Sequence, residues 1–210
     1  VFIFAINFGL FGKLPSLVEL ENPSMLSSSE IFAADGSLMG KYYLKDRTNA
    51  KYSDISINVI NALIATEDER FYQHSGIDVK GTARAILFLG TKGGASTITQ
   101  QLAKNMLFEQ GSKNFVRRII EKTKEWIISV KLERNLTKEE ILSLYLNTVS
   151  FSDNLFGIGN ASRTFFQKEP DRLSVEEAAV LVGMVNGPTI FNPRRNPKAA
   201  LDRRNLVINR

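Results

Sequence analysis

From about Ser56 to the end of the chain, apolar residues recur at intervals of three and four. That period predicts helices over 57–72, 78–90, 97–109, 114–134, 137–148, 156–167, 174–185 and 197–210. Two of the starts carry capping-box patterns, Thr137 with Glu140 and Ser174 with Glu177. One earlier stretch breaks the rule. Between Glu30 and Tyr43 an Asp35-Gly36 pair separates two apolar, aromatic-tinged runs, which predicts a small β-hairpin. The first twelve residues, Val1 to Gly12, are uncharged and strongly apolar, and Lys13 and Pro15 end the run. A bilayer-crossing helix needs about 20 such residues, and a signal peptide would carry a basic segment first. The reading is the exit end of a truncated membrane anchor over 1–15, with a buried or interfacial helix as the alternative, then a polar linker over 16–29 and one mainly α-helical domain over 30–210.

Composition narrows the chemistry. The 210 residues contain no cysteine and one histidine, His74. Thiolate nucleophiles, disulfides and Cys-ligated metal sites are excluded, and a Ser-His-Asp triad has a single candidate base. Acid–base work must therefore rest mainly on carboxylates. The formal charge of +5 is unevenly placed. Residues 92–138 hold ten basic and four acidic side chains, residues 194–210 hold six and one, and the remainder is acidic by six. Two basic islands on an acidic body suit phosphates or anionic lipid, although solvated helix faces give the same counts. No helix-turn-helix, zinc-knuckle or RNP-type signature accompanies them, so no nucleic-acid partner is expected.

Three clusters could carry a reaction. In the first, Glu67-Asp68-Glu69 end an amphipathic helix and are followed by Phe71, Tyr72, His74 and a turn at Gly76. Three adjacent carboxylates at a helix C-terminus oppose the macrodipole. Crowding or burial among like charges would push one of them toward general-base duty, although plain surface acids remain an alternative. In the second, Gly93-Gly94 lead into Ser96-Thr97-Ile98-Thr99-Gln100-Gln101, with Lys104 and Asn105 one turn on. Free N–H groups, hydroxyls and a lysine make a lip for phosphate or sugar, although an ordinary N-capped helix is the alternative. A P-loop is excluded because no Gly-Lys-Ser/Thr appears. In the third, Phe115, Val116, Ile119, Ile120, Trp126, Ile127 and Val130 form an apolar arc on the helix over 114–134. Opposite them stand Arg118, Lys122 and Glu125, with Glu121 beside them. That face could be routine ion pairing or a pyrophosphate site in which Glu125 is held ionised by its neighbours.

Taken in order, these residues resemble the peptidoglycan glycosyltransferase family, which occurs as monofunctional enzymes and as the first catalytic domain of class A penicillin-binding proteins. Glu67-Asp68-x-x-Phe71-x-x-His74-x-Gly76 is similar to the family's first motif, and Gly94 through Asn105 to its second. Glu125 falls at the acid of the third, and Glu140-Ile141-x-x-x-Tyr145-Leu146-Asn147 is similar to the fourth. The likeness covers about residues 30–210. One position departs from the pattern: Glu121-Lys122 stands where the family usually has Arg-Lys, with Arg117 and Arg118 one turn earlier.

The resemblance implies a lysozyme-like α fold and inverting transfer at the outer face of the bacterial cytoplasmic membrane. Its substrates would be lipid II and the growing glycan strand. Glu67 would be the general base, and Lys104, Lys122 and nearby arginines such as Arg118 would stabilise undecaprenyl pyrophosphate, ordered by Glu125. Ser96, Thr99, Gln100, Gln101 and Asn105 would bind substrate, while Asp68, Phe71, His74, Gly76 and Asn147 would support the site. No cofactor is required by the sequence, no metal ligand set is expected, and a divalent cation (Mg or Mn) is optional. Membrane lipid, a downstream transpeptidase domain and the cell-wall synthesis machinery are the implied partners. A lysozyme-like hydrolase or lytic transglycosylase, and a catalytically silent scaffold, are the competing readings. A pyrophosphate leaving group needs cations rather than a protonating acid, whereas a hydrolase needs the acid.

Overall fold

A computed structural model describes residues 14–15, 29–33, 38–42, 50–87, 96–108, 112, 114–152 and 155–210. Among them are two short strands, β1 (Ser29–Phe32) and β2 (Leu38–Tyr42), paired antiparallel with a register shift between Ile31 and Phe32. The Asp35-Gly36 pair, the apolar N-terminal run and most of the linker lie outside the described residues. No helix among the described residues is long and apolar enough to cross a membrane.

Among the described residues, eight α-helices follow the strands. They are α1 (Ile57–Glu67), α2 (Val79–Leu87), α3 (Ile98–Leu107), α4 (Phe115–Asn135), α5 (Lys138–Thr148), α6 (Ile158–Phe166), α7 (Val175–Val185) and α8 (Pro197–Ile208). Each lies inside or within a residue of an expected span, and the largest difference is at α1. The helix stops at Glu67 rather than 72, and a 3-10 turn over Phe71–Gln73 follows. The buried Asp68 carboxylate is engaged by the Ile98 N–H and the His74 ring, which draws the chain off the helical path.

Local chemistry sets the starts. Thr97 accepts from the Gln100 N–H at the head of α3, and Asn114 accepts from the Val116 and Arg117 N–H groups at the head of α4. Both expected capping boxes are made. Thr137 and Glu140 exchange backbone and side-chain bonds at α5, and Ser174 and Glu177 do so at α7. At α7 the Lys168 ammonium, then the Ser174 N–H, hold the Glu177 carboxyl below its ordinary range.

The chain divides into two compact units, one of Val1–Glu21 with Leu63–Tyr145 and one of Asn22–Ala62 with Leu146–Arg210. In the first, α3 packs along α4 over a core that includes Phe71, Ile98, Leu102, Ile128, Leu132 and Tyr145. In the second, α8 packs on α7 around Leu181, Val182 and Val207. There Ser152, buried with a φ of 99°, accepts a hydrogen bond from the Asn192 amide at 3.0 Å. The Asn147 carboxamide pairs with both backbone groups of Ala50 at 3.0 and 2.8 Å, so its amide serves as a clasp on the segment before α1.

The apolar arc of α4 is not the face that the helix buries. Glu125, Ile128, Ser129 and Leu132 are inside, whereas Phe115, Val116 and Ile119 are 74%, 62% and 44% exposed. The helical period is as expected, but the first half of the helix turns its polar face inward. The reason is on α3, whose polar groups receive Lys122.

Candidate functional site

The three acids after α1 receive different environments. Glu69 is exposed, Glu67 is half-buried at the last turn of α1, and Asp68 is buried. Asp68 accepts from the Ile98 N–H at 3.0 Å, and both of its oxygens lie 3.0 Å from the His74 Nε2. It therefore joins the loop after α1 to the start of α3. Glu67 instead faces the next turn of α3. The Gln101 Nε2 donates to Glu67 Oε2 at 3.0 Å, and the Tyr145 hydroxyl donates to Gln101 Oε1 at 2.8 Å. Burial, with Glu67's charge adding to it, pushes the Tyr145 phenol well above its ordinary range. The phenol stays a donor, so the amide must present its NH₂ to Glu67, a group able to receive it as a carboxylate.

The loop carrying these residues is pinned by Gly76. Its φ is +88°, and a Cβ there would lie 2.8 Å from the Ser129 carbonyl oxygen on α4. Only glycine fits both conditions. The Gly76 carbonyl accepts from Thr97 Oγ1 at 2.8 Å and from Gln100 Nε2 at 3.2 Å. Past the turn, Asp78 caps α2 by accepting from the Gly81 N–H at 2.9 Å and is paired with Arg70. Burial works to raise the Asp78 carboxyl, but the Arg70 bond and the Gly81 N–H outweigh it and lower it.

The second half of the cluster centres on Lys122. Its ammonium donates to Glu125 Oε2 at 2.8 Å, Ser96 Oγ at 3.0 Å and Gln100 Oε1 at 3.1 Å. Glu125 is buried beneath it, so the lysine is held in place with its charge largely balanced. Arg117, Arg118, Lys104 and Asn105 are exposed. Glu121 turns to a different task, accepting from the Ser112 N–H at 3.1 Å. Consecutive residues of α3 thus serve two ends of one site, Gln100 toward Lys122 and Gln101 toward Glu67.

The family model described as Transglycosylase matches residues 35–210. The chain belongs to that family. Among relatives of this transglycosylase chain, penicillin-binding protein 1A of Escherichia coli (strain K12) is 38% identical over 202 residues, covering 94% of this chain and 23% of that protein. The Vibrio cholerae protein of the same name is 35% identical over 99% of this chain and 25% of its own length. The chain spans about a quarter of the length of the curated relatives it matches. A crystal structure of penicillin-binding protein 1A from Haemophilus influenzae aligns at 23% identity with a TM-score of 0.47, over 88% of this chain and 18% of that one.

Several expected site residues prove to be internal. Thr99 is fully buried with its hydroxyl donated to Glu133 Oε1 at 2.6 Å, and Gln100 is buried between Gly76 and Lys122. Phe71 is buried edge-on to His74. Two residues that carried no signal in the sequence, Glu133 and Lys138, form an ion pair of 2.8 Å in the same unit. They lie five apart across a helix junction, a spacing that no helical periodicity picks out. Among the described residues, no group of three His, Cys, Asp or Glu side chains could hold a metal ion.

Proposed function

We propose that this transglycosylase chain polymerises lipid II into glycan strands by inverting transfer, releasing undecaprenyl pyrophosphate. The observation that carries the reading is the pairing, through adjacent residues of α3, of an oriented carboxylate (Glu67) with a seated lysine (Lys122). The acceptor's 4-hydroxyl attacks the anomeric carbon of the donor sugar as its proton passes to Glu67. The anomeric carbon–oxygen bond breaks, and the electron pair leaves with the pyrophosphate. Lys122 meets that developing charge, with Lys104 and Arg118 available from the exposed rim. Because Lys122 is already fixed by Ser96, Gln100 and Glu125, little reorganisation is needed at the moment of bond breaking.

On this reading Ser96, Gln101 and Asn105 face substrate, while Thr99 and Gln100 act as internal posts. A lysozyme-like arrangement of the helices, a membrane anchor in the apolar N-terminal run and placement on the outer face of the cytoplasmic membrane complete the proposal. Lipid II incubated with the chain should give glycan polymer, and Glu67→Gln should lower turnover by about a thousandfold or more with folding intact. Cleavage of preformed glycan without polymerisation would overturn the reading in favour of a hydrolase.

A further inference from the structure

Glu133 and Lys138 are charges at helix ends that do not suit them. Glu133 is in the last turn of α4, where the macrodipole is negative, and Lys138 opens α5, where it is positive. Both are drawn inward, with side chains 4% and 22% exposed. An apolar pair would close such a junction at least as stably. What it could not do is make the bonds this pair makes beyond itself. The Lys138 ammonium donates to the His74 carbonyl at 2.8 Å and sits 4.2 Å from the centroid of the Phe71 ring. Both contacts fall on the loop that leaves Glu67. The Glu133 carboxylate takes the Thr99 hydroxyl on α3, two residues before the amide that orients Glu67.

We propose that the Glu133–Lys138 pair is a positioning device for glycosyl transfer, clamping the loop after Glu67 to the helix that carries Gln101. The inference rests on the reading of Glu67 as the base. The two bodies that set the Glu67–Gln101 bond are each gripped by one member of the pair, and the pair's own bond holds them in register. Neither residue touches substrate. A displacement of about 1 Å at a reacting group can cost a hundredfold in rate, so loosening this clamp should appear in turnover rather than in binding.

The test uses lipid II polymerisation by the full chain. Lys138→Met alone strands a buried carboxylate and threatens folding, so Glu133→Gln/Lys138→Met is made beside it and leaves no unpaired charge. The double variant should lose about twentyfold or more in kcat, with KM within about twofold and lipid II binding retained. Lys138→Arg, which can still reach both Glu133 and the His74 carbonyl, should recover most of the rate. A double variant within twofold of wild-type kcat would overturn the proposal. So would a parallel fall of kcat, lipid II binding and thermal midpoint without rescue by arginine, which marks a merely structural pair. If the wild-type chain makes no polymer, the base assignment falls and the clamp with it. A dead Glu67→Gln beside an unaffected double variant removes the clamp alone.

Discussion

The Tyr145 hydroxyl donates to Gln101 Oε1 at 2.8 Å, and that bond decides which end of the amide meets Glu67. Tyr145→Phe should leave a half-buried acceptor unanswered, costing about 1 kcal/mol of stability. It should also free the amide to rotate, so that turnover drops several-fold while the fold persists. Chemical denaturation and lipid II kinetics on the same variant measure both effects. Turnover equal to wild type would show that the amide is held by other means.

Gly76→Ala should be among the most damaging single-methyl changes in the chain. The substitution combines a φ of +88° with a Cβ 2.8 Å from the Ser129 carbonyl oxygen, on a rigid helix that cannot yield as a flexible side chain would. Left-handed backbone alone costs about 1–2 kcal/mol for an L residue, and the collision adds to it. A urea midpoint shift below what about 1 kcal/mol produces would show that the loop relaxes away from α4.

Removing Lys122 strands the buried Glu125 carboxylate. Lys122 is itself 39% exposed, so solvent softens the loss. Lys122→Met is expected to cost about 1–2 kcal/mol, and Lys122→Met/Glu125→Gln should regain much of that stability. Activity should not return in the double variant, because the cation is still missing. Recovery of polymerisation would mean that Lys122 serves only to neutralise Glu125.

The Asp78 carboxyl lies below its ordinary range in the folded chain, so it binds a proton more readily when unfolded. Its stabilisation is complete above the unfolded value near 4 and fades as pH falls through the lower folded value. Asp78→Asn keeps an oxygen for the Gly81 N–H but loses the charge facing Arg70. The gap in thermal midpoint between wild type and this variant should be widest near pH 7 and close as the pH drops below about 4. A gap independent of pH would remove the ion pair as its cause.

Ser152 couples strain to a hydrogen bond. Ser152→Ala keeps a Cβ at a φ of 99° and deprives the buried Asn192 amide of its acceptor, so it should destabilise. Ser152→Gly loses the same bond but relaxes the backbone, and should lie about 1 kcal/mol above the alanine variant. Equal unfolding midpoints would show that the backbone at 152 carries no strain.

Much of this was open to inspection in the amino acids. Periodicity located the helices because apolar residues recur at three- and four-residue intervals in each, and Thr137 and Ser174 mark starts through bonds that are local in sequence. The inward face of α4 was not open in that way. Its apolar arc is the wider one, yet Lys122 turns inward because Ser96 and Gln100 offer it partners 26 and 22 residues away, and it holds Glu125 beneath it. The same holds for the end of α1, decided by an Ile98 N–H 30 residues on, and for Glu133 and Lys138, whose worth lies in groups on other segments. Motif spacing put Glu67, Gln101 and Lys122 forward as members of one set. It could not tell Gln100, which is buried, from Gln101, which faces the carboxylate.

That neighbouring pair of amides also bears on how such a site can change over generations. The carboxylate end and the lysine end hang from successive positions of one short helix, about 100° apart around its axis. A single insertion or deletion between Thr97 and Gln100 would swing both ends at once. Drift in this stretch is therefore confined to replacement in place. On the proposed reading, a descendant could not retune its grip on the leaving group by sliding that helix without also misplacing its base.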